Sequence, residues 1–205
     1  MAPPVGRSAL GRGFADPVRD AQASFRRILT ALSEPGTIEQ FDSLVEVPVA
    51  LSTAATIVML ALADHDTPVW LPQTAADASR YIGFHTGAPI TSDERSARFA
   101  VVDGGVCAPG LDAFDPGDDR YPDRSATVIV ECKDLMGGPS VRLSGPGIRG
   151  SREIAPRGLH AGFWASVLAN AARYPVGVDI ILASGNAIMG LPRSTRVVTD
   201  LPESL

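Results

Sequence analysis

Four short segments of this sequence carry residue types that could bind a ligand. Residues 145–150 read Gly-Pro-Gly-Ile-Arg-Gly after a predicted strand, the arrangement that cradles a dinucleotide pyrophosphate. Such a site needs a helix that starts inside the loop, but residues 151–156 look short and extended and end in proline. The acidic residue expected about 20 positions later is also missing. A glycine-rich turn between two strands is the better interpretation.

The second segment, Asp64-His65-Asp66, has the composition of a metal site. Three adjacent side chains cannot all point at one ion in regular structure, so we favour a turn that the Asp side chains stabilise before Thr67. Asp64 follows a predicted helix, whose macrodipole disfavours a carboxylate at that end. We therefore expect a partner for Asp64, most simply an arginine. Asp64 and Asp66 are candidate contacts for an anion site or a partner protein, and we expect no metal.

The other two segments contribute the candidates His85, Thr86 and Arg193. The segment around His85 could place an imidazole near a phosphate or a proton path, although a hydrogen-bonded structural histidine at a helix end is the simpler interpretation. Residues 192–196 read Pro-Arg-Ser-Thr-Arg. Two arginines beside hydroxyls can hold a phosphate or the carboxylate of a partner protein.

Composition excludes several kinds of mechanism. The 205 residues carry 18 basic and 23 acidic side chains, so a general attraction to nucleic acid or to an anionic membrane is not expected. Lys133 is the only lysine and lies outside any glycine-rich loop, which argues against a Walker-type phosphate site. Cys107 and Cys132 are too few and too far apart for a zinc or iron–sulfur site. We expect a cytoplasmic protein with reduced thiols, no cofactor and no membrane segment.

A helix near the N-terminus must position several of these residues. Asp16 can cap it, Pro17 suits its first position, and residues 34–36 end it. Arg26 and Arg27 lie off its apolar stripe and face solvent, a partner or a ligand. The stripe has helical spacing and consists of Val18, Ala21, Phe25, Ile28, Leu29 and Leu32.

The rest of the chain alternates between helices and apolar strands. The other predicted helices are 48–63, 77–85 and 159–174, and a surface loop with one helical turn spans 104–125. The predicted strands are 37–41, 69–71, 99–103, 126–132, 141–144, 178–183 and 187–191, of which the last two form a hairpin. This order predicts a three-layer α/β/α sheet with some antiparallel pairing near the C-terminus. We expect one domain over residues 14–198, between a flexible leader (1–13) and a tail (199–205).

Several segments, taken in order, resemble one protein family. They are residues 16–22 (DPVRDAQ), 25–27 (FRR), 32–36 (LSEPG), 62–71 (LADHDTPVWL), 84–89 (FHTGAP), 143–148 (LSGPGI), 174–179 (YPVGVD) and 191–195 (LPRST). Together they resemble the H subunit of the bacterial carbon–phosphorus lyase core complex, the PhnH family. The first three segments taken together as one block, and the fourth segment, are long enough to be specific.

The resemblance implies a fold similar to the large domain of pyridoxal-phosphate-dependent aminotransferases, without their active site. It implies a role in phosphonate catabolism, within a transferase complex that moves ribose 5-triphosphate from ATP to an alkylphosphonate and releases adenine. It assigns that chemistry to other subunits. It also implies a homodimer when the protein is isolated, and assembly with the G, I and J subunits.

Two functional hypotheses follow. In the first, the chain is a structural, non-catalytic subunit that docks the catalytic ones through apolar and arginine-bearing surfaces. In the second, Arg26, Arg27, His85 and Arg193 line an anion pocket that holds a phosphorylated ribose or a phosphonate. The positions of these four side chains distinguish the two hypotheses. An anion pocket requires them to converge within hydrogen-bond reach, whereas docking surfaces scatter them.

Overall fold

The computed structural model describes residues 10–48 and 50–198. Its helices are α1 (Pro17–Ser33), α2 (Thr53–Leu62), α3 (Ala76–Thr86) and α4 (Phe163–Ala171). Its strands are β1 (Ile38–Gln40), β2 (Val69–Trp70), β3 (Ile90–Thr91), β4 (Phe99–Asp103), β5 (Thr127–Glu131), β6 (Val141–Ser144), β7 (Arg152–Ile154), β8 (Asp179–Ser184), β9 (Ala187–Leu191) and β10 (Arg196–Val198). Residues 1–9 of the predicted leader and the whole predicted tail lie outside the described residues.

A seven-stranded sheet in the order β1-β9-β8-β5-β4-β2-β3 forms the centre of the fold. The strands from β8 to β3 are parallel, whereas β9 is antiparallel to both β8 and β1. Val101, Ile129 and Ile181 stand opposite one another on the three central strands, and all three are buried. Continuous apolar strands of this kind suit a sheet that is covered on both faces. The predicted α/β class and the C-terminal hairpin are confirmed.

Alternate strand residues pack into two separate cores, one on each face of the sheet. The first core contains residues of α1, α2 and α3. The second contains α4 together with a small antiparallel sheet in the order β10-β6-β7. The third layer therefore combines a helix with a sheet, where a purely helical layer was predicted. Strands β7 and β10 were not predicted, because each is three residues long and shows no clear alternation.

Helix α1 lies unusually close to the central sheet. It begins as predicted, with the Asp16 carboxylate accepting the Arg19 backbone N–H at 3.1 Å and Pro17 at its first position. Gly190 on β9 faces the helix, and a Cβ added there would lie 2.3 Å from the carbonyl oxygen of Ala31. Only glycine permits this approach of helix to strand.

The apolar stripe of α1 is wider than the face that the core covers. Ile28 is buried, but Val18, Phe25 and Leu29 are 69%, 49% and 55% exposed. At about 100° per residue, these three side chains fall within an arc of about 40° beside the buried face. We use the name α1 stripe only for this exposed part of the predicted apolar stripe, which is Val18, Phe25 and Leu29.

Two predicted helices are shorter than expected. Helix α2 starts at Thr53, where residue 48 was predicted, because the Ser52 hydroxyl accepts the Ala55 N–H at 3.1 Å and caps the helix there. Helix α4 spans Phe163–Ala171, within the predicted range of 159–174. Among the described residues, no helix has both the length and the apolar character that crossing a bilayer requires.

Candidate functional site

A large cavity lies at the carboxyl ends of the central parallel strands and has a volume of about 740 Å³. Its walls include Trp70, Asp103 and Glu131 from β2, β4 and β5, with Ser52 from the start of α2 and Lys133 beyond β5. The chain leaves β2 outward towards β3 and leaves β4 inward towards β5. Open α/β sheets usually bind ligands where neighbouring connections diverge in this way. We call this cavity the edge cleft.

A protein carboxylate occupies the helix N-terminus that borders the edge cleft. The backbone N–H of Ser52 donates to Glu131 Oε1 at 2.7 Å. Burial raises the pKa of Glu131, the hydrogen bonds with Ser52 oppose that rise, and the negative charge of Asp103 adds to it. The N-terminus of α2 is where an anionic ligand would otherwise be stabilised. Glu131 holds that position from within the protein.

The ionisable groups of the edge cleft do not favour a polyanion or a reactive thiol. Asp103 and Glu131 contribute two carboxylates against the one ammonium group of Lys133. Cys132 also lines the cleft, and burial raises the pKa of its thiol to about 12. The thiolate form needed for nucleophilic attack is therefore scarce at neutral pH. A ligand with several phosphate groups would be repelled.

The Gly-Pro-Gly-Ile-Arg-Gly segment is a turn between strands, as predicted. It joins β6 to β7, which are antiparallel neighbours, and no helix begins in it. Gly147 has φ +80°, and a Cβ there would lie 2.0 Å from the carbonyl oxygen of Ser33. The glycine therefore lets the loop pack against the end of α1, a role unrelated to phosphate binding.

Asp64 and Asp66 lie in an exposed turn. Asp64 Oδ1 accepts the backbone N–H of Asp66 and the hydroxyl of Thr67, each at 3.0 Å, and these bonds lower the pKa of Asp64. The predicted turn is confirmed, but the expected arginine partner is wrong, because local donors satisfy the carboxylate. Asp66 lies 3.3 Å from the exposed His65 ring. Within residues 10–48 and 50–198, no group of three or more His, Cys, Asp or Glu side chains could hold a metal ion.

His85 and Thr86 bind other parts of the protein. His85 Nε2 lies 2.9 Å from the carbonyl oxygen of Gly11, and the ring packs against Tyr81 with centroids 4.4 Å apart. The Thr86 hydroxyl donates to the carbonyl of Ile82 at 2.7 Å, which closes the last turn of α3. His85 therefore holds the chain segment that precedes α1 against α3.

The two candidate arginines of α1 differ in their contacts. Arg27 pairs with Glu39 of β1 at 3.0 Å and approaches Asp42 at 3.6 Å. Arg26 is exposed and forms no ion pair with the residues that the structure describes. Both side chains project from the protein surface, so both remain available to a partner.

Arg193 forms a largely buried pair with Asp179. Its Nε and Nη2 atoms donate to the two carboxylate oxygens at 3.1 and 2.6 Å, and Nη1 donates to the Pro122 carbonyl at 2.5 Å. The structure thus gives Arg27, His85 and Arg193 separate protein partners. The edge cleft contains none of the four side chains of the anion-pocket hypothesis, and the second cavity described below contains only Arg193.

The pair of acids in the edge cleft was not predicted from the sequence. Asp103 and Glu131 are the last residues of β4 and β5, and the two strands are parallel and in register there. Both strands were predicted with these acids at or near their ends. Only the pairing of the two strands places their carboxyl ends side by side, and neither strand's own residues indicate that pairing.

Comparison with known proteins gives one consistent family. A profile described as bacterial phosphonate metabolism protein (PhnH) matches residues 12–198. The alpha-D-ribose 1-methylphosphonate 5-triphosphate synthase subunit PhnH of Rhizobium meliloti (strain 1021) is 41% identical over 186 residues, which cover 90% of this chain and 93% of that protein. A putative C-P lyase subunit protein, HtxG, of Stutzerimonas stutzeri is 29% identical over 180 residues, with 86% and 85% covered. The chain belongs to the PhnH family of bacterial phosphonate metabolism proteins.

Proposed function

We propose that this chain is a non-catalytic subunit of the carbon–phosphorus lyase core complex and supports the transfer of ribose 5-triphosphate to alkylphosphonates. The observation that carries this proposal is the match to a relative named as a subunit of alpha-D-ribose 1-methylphosphonate 5-triphosphate synthase. The alignment spans 93% of that subunit and 90% of this chain, so the similarity extends over nearly the whole of both. We therefore propose for this chain the role of the whole relative.

The edge cleft supports a division of labour in which other subunits perform the chemistry. The product named for the relative carries a triphosphate and a phosphonate, and is therefore a polyanion. Asp103 and Glu131 give the cleft an excess of negative charge, and Glu131 occupies the start of α2. Such a cleft disfavours the substrate and the product of the synthase.

The contacts of the candidate site residues favour docking over an anion pocket. His85, Thr86 and Arg193 bind partners within the protein, and we assign them to the stability of the fold. Arg26 and Arg27 are exposed on α1, and we propose that they contact another subunit. The exposed carboxylates of the 64–66 turn are a second, smaller contact region of the same kind.

The α1 stripe is the part of this surface with the clearest partner chemistry. Val18, Phe25 and Leu29 present apolar area, and Arg19 and Arg26 lie about 90° further round the helix. Interfaces commonly combine an apolar centre with a polar rim of complementary charge. We propose that the α1 stripe meets an apolar patch rimmed by carboxylates on another subunit. A second copy of this chain fits the α1 stripe less well, because it would bring the same arginines towards each other.

Several finer proposals rest on the family resemblance. We propose that the G, I and J subunits are the partners, that the isolated protein is a homodimer, and that the complex is cytoplasmic. We also propose that the central sheet shares the architecture of the aminotransferase large domain without its active site. We further propose that residues 14–198 form a single domain.

Purification from the native host tests the proposal. Cells that grow on methylphosphonate as their only phosphorus source would carry a tagged copy of the full chain at its own locus. Quantitative mass spectrometry should recover the G, I and J subunits in fixed ratio to the tagged chain, and light scattering of the chain alone should give a dimer mass. Recovery of the chain without these subunits, under conditions that preserve other complexes, would contradict the subunit role.

A further inference from the structure

A second cavity of about 460 Å³ forms where two segments singled out in the sequence meet. Gly145 and Pro146 of the glycine-rich turn line it, together with residues 193–196. The two segments are close, since a Cβ at Gly145 would lie 3.0 Å from the carbonyl oxygen of Ser194. Tyr174, just beyond α4, completes the cavity. We call it the turn cavity.

The lining of the turn cavity is rich in hydrogen-bond donors. Arg196 is exposed and forms no ion pair with the described residues, and no acidic side chain lines the cavity. The hydroxyls of Ser194 and Tyr174 form no hydrogen bond with those residues either. Thr195 is only 2% exposed, and its hydroxyl has no partner there. A buried hydroxyl without a partner often marks the place of a water or an ion.

The two arginines of the turn cavity contribute in different ways. Arg193 uses three of its guanidinium nitrogens on Asp179 and Pro122, so its charge is offset and its position is fixed. Arg196 supplies the net positive charge. The carboxyl end of α4 lies nearby at Ala171, and the backbone N–H of Tyr174 binds the Ala171 carbonyl at 3.2 Å. This bond reduces the repulsion that free helix carbonyls would exert on an anion.

We propose that the turn cavity binds the oxyanion group of a small phosphonate or phosphate ester. A tetrahedral dianion offers three acceptor oxygens, and the cavity offers a guanidinium group and hydroxyls with free donors to meet them. The negative edge cleft has the opposite character, so charge separates the two cavities. The proposal does not depend on assembly with other subunits, because all of its residues belong to this chain.

Calorimetric titration of the isolated full-length protein tests the turn cavity. The probes are methylphosphonate, inorganic phosphate and ribose 5-phosphate, and they distinguish a phosphonate site from a phosphate-ester site. We expect saturable binding of at least one probe in the millimolar range or tighter. Arg196→Gln should weaken binding by at least about tenfold, because a charge-assisted hydrogen bond is lost. Arg120→Gln, an exposed arginine in the loop 104–125, should leave binding unchanged.

Thr195→Val provides a second variant that separates binding from folding. Its hydroxyl has no partner among the described residues, so the change should not lower the unfolding midpoint in urea. Weaker binding by a fully folded Thr195→Val protein would support the site. Absence of saturable binding by the wild-type protein, or equal affinity in Arg196→Gln, would overturn the proposal. Either result would leave the subunit role intact, since co-purification measures that role separately.

Discussion

The backbone N–H of Ser52 and the carboxylate of Glu131 are 2.7 Å apart, and this contact joins the start of α2 to the end of β5. It places a protein carboxylate at a helix N-terminus, inside the cavity that an α/β sheet would normally use for a ligand. The same contact orients Glu131 while burial disfavours its charge. This relationship has a measurable consequence for the pH dependence of stability.

Glu131→Gln should change how stability depends on pH. Because the folded-state pKa of Glu131 lies above its ordinary value of 4.5, the folded protein binds the proton more tightly than the unfolded chain. The contribution of Glu131 to the free energy of unfolding therefore falls as pH rises from 4.5 through the raised pKa. Urea unfolding at a series of pH values should show Glu131→Gln gaining stability over the wild type across that range. A difference independent of pH would contradict this, and Asp119→Asn, an exposed acid, is the control.

The α1 stripe should control assembly without affecting folding. Phe25→Asp places a carboxylate in the centre of the stripe and should reduce recovery of the partner subunits by at least about tenfold. Since Phe25 is half exposed, the unfolding free energy should change by only about 0.5 kcal/mol. Quantitative co-purification measures the loss. Met136→Asp, at a residue 63% exposed, should keep the partners, and an equal loss there would remove the specific role of the stripe.

Arg193 and Asp179 should be strongly coupled in stability. Arg193→Met leaves the Asp179 carboxylate partly buried without its partner, which should cost about 2 kcal/mol. Adding Asp179→Asn to that variant should recover part of the loss, because the unpaired charge disappears. A double-mutant cycle from urea unfolding gives the coupling energy. Additive effects of the two changes would contradict the pairing.

His85→Ala should expose the segment before α1 to protease. The wild-type ring contacts the Gly11 carbonyl, and the Tyr81 hydroxyl donates to the Arg12 carbonyl at 2.9 Å. Loss of the first contact should raise the rate of tryptic cleavage after Arg12 about fivefold, the effect of about 1 kcal/mol. His65→Ala, at an exposed ring, should leave the rate unchanged. Equal rates in all three proteins would show that His85 does not restrain this segment.

Gly147→Ala should destabilise the protein more than Gly150→Ala. Both glycines have positive φ, of +80° and +70°, so both substitutions carry a backbone cost of about 1 kcal/mol. At Gly150 an added Cβ meets nothing within 4 Å, whereas at Gly147 it meets the Ser33 carbonyl. The clash should add about 2 kcal/mol at Gly147. Similar unfolding midpoints for the two variants would show that the loop moves freely away from α1.

The sequence predicts local structure well where one element carries its own signal. The start of α1 follows from Asp16 and Pro17, and the hairpin of β8 and β9 follows from its apolar runs and the turn between them. The three-residue strands β7 and β10 depend on their pairing with β6 for their structure. Their own residues show no strand pattern, so the small sheet could not be predicted.

Sites that depend on long-range pairing were harder to predict than single motifs. The turn at Asp64 follows from local chemistry, whereas the contact of His85 with the Gly11 carbonyl joins residues 74 positions apart. The edge cleft requires the order of β2, β4 and β5, and the turn cavity requires contact between residues about 50 positions apart. Periodicity indicates that α1 has an apolar side. It does not show that the core covers only part of that side.

The close packing of α1 on β9 at Gly190 affects how another protein would meet this surface. With the Ala31 carbonyl against a glycine backbone, the helix has little freedom to tilt or slide. The backbone of its exposed face is thus preorganised, and binding a partner costs little backbone conformational entropy there. Recognition at this helix should accordingly resemble rigid docking, with a fast association rate and small structural change in this chain.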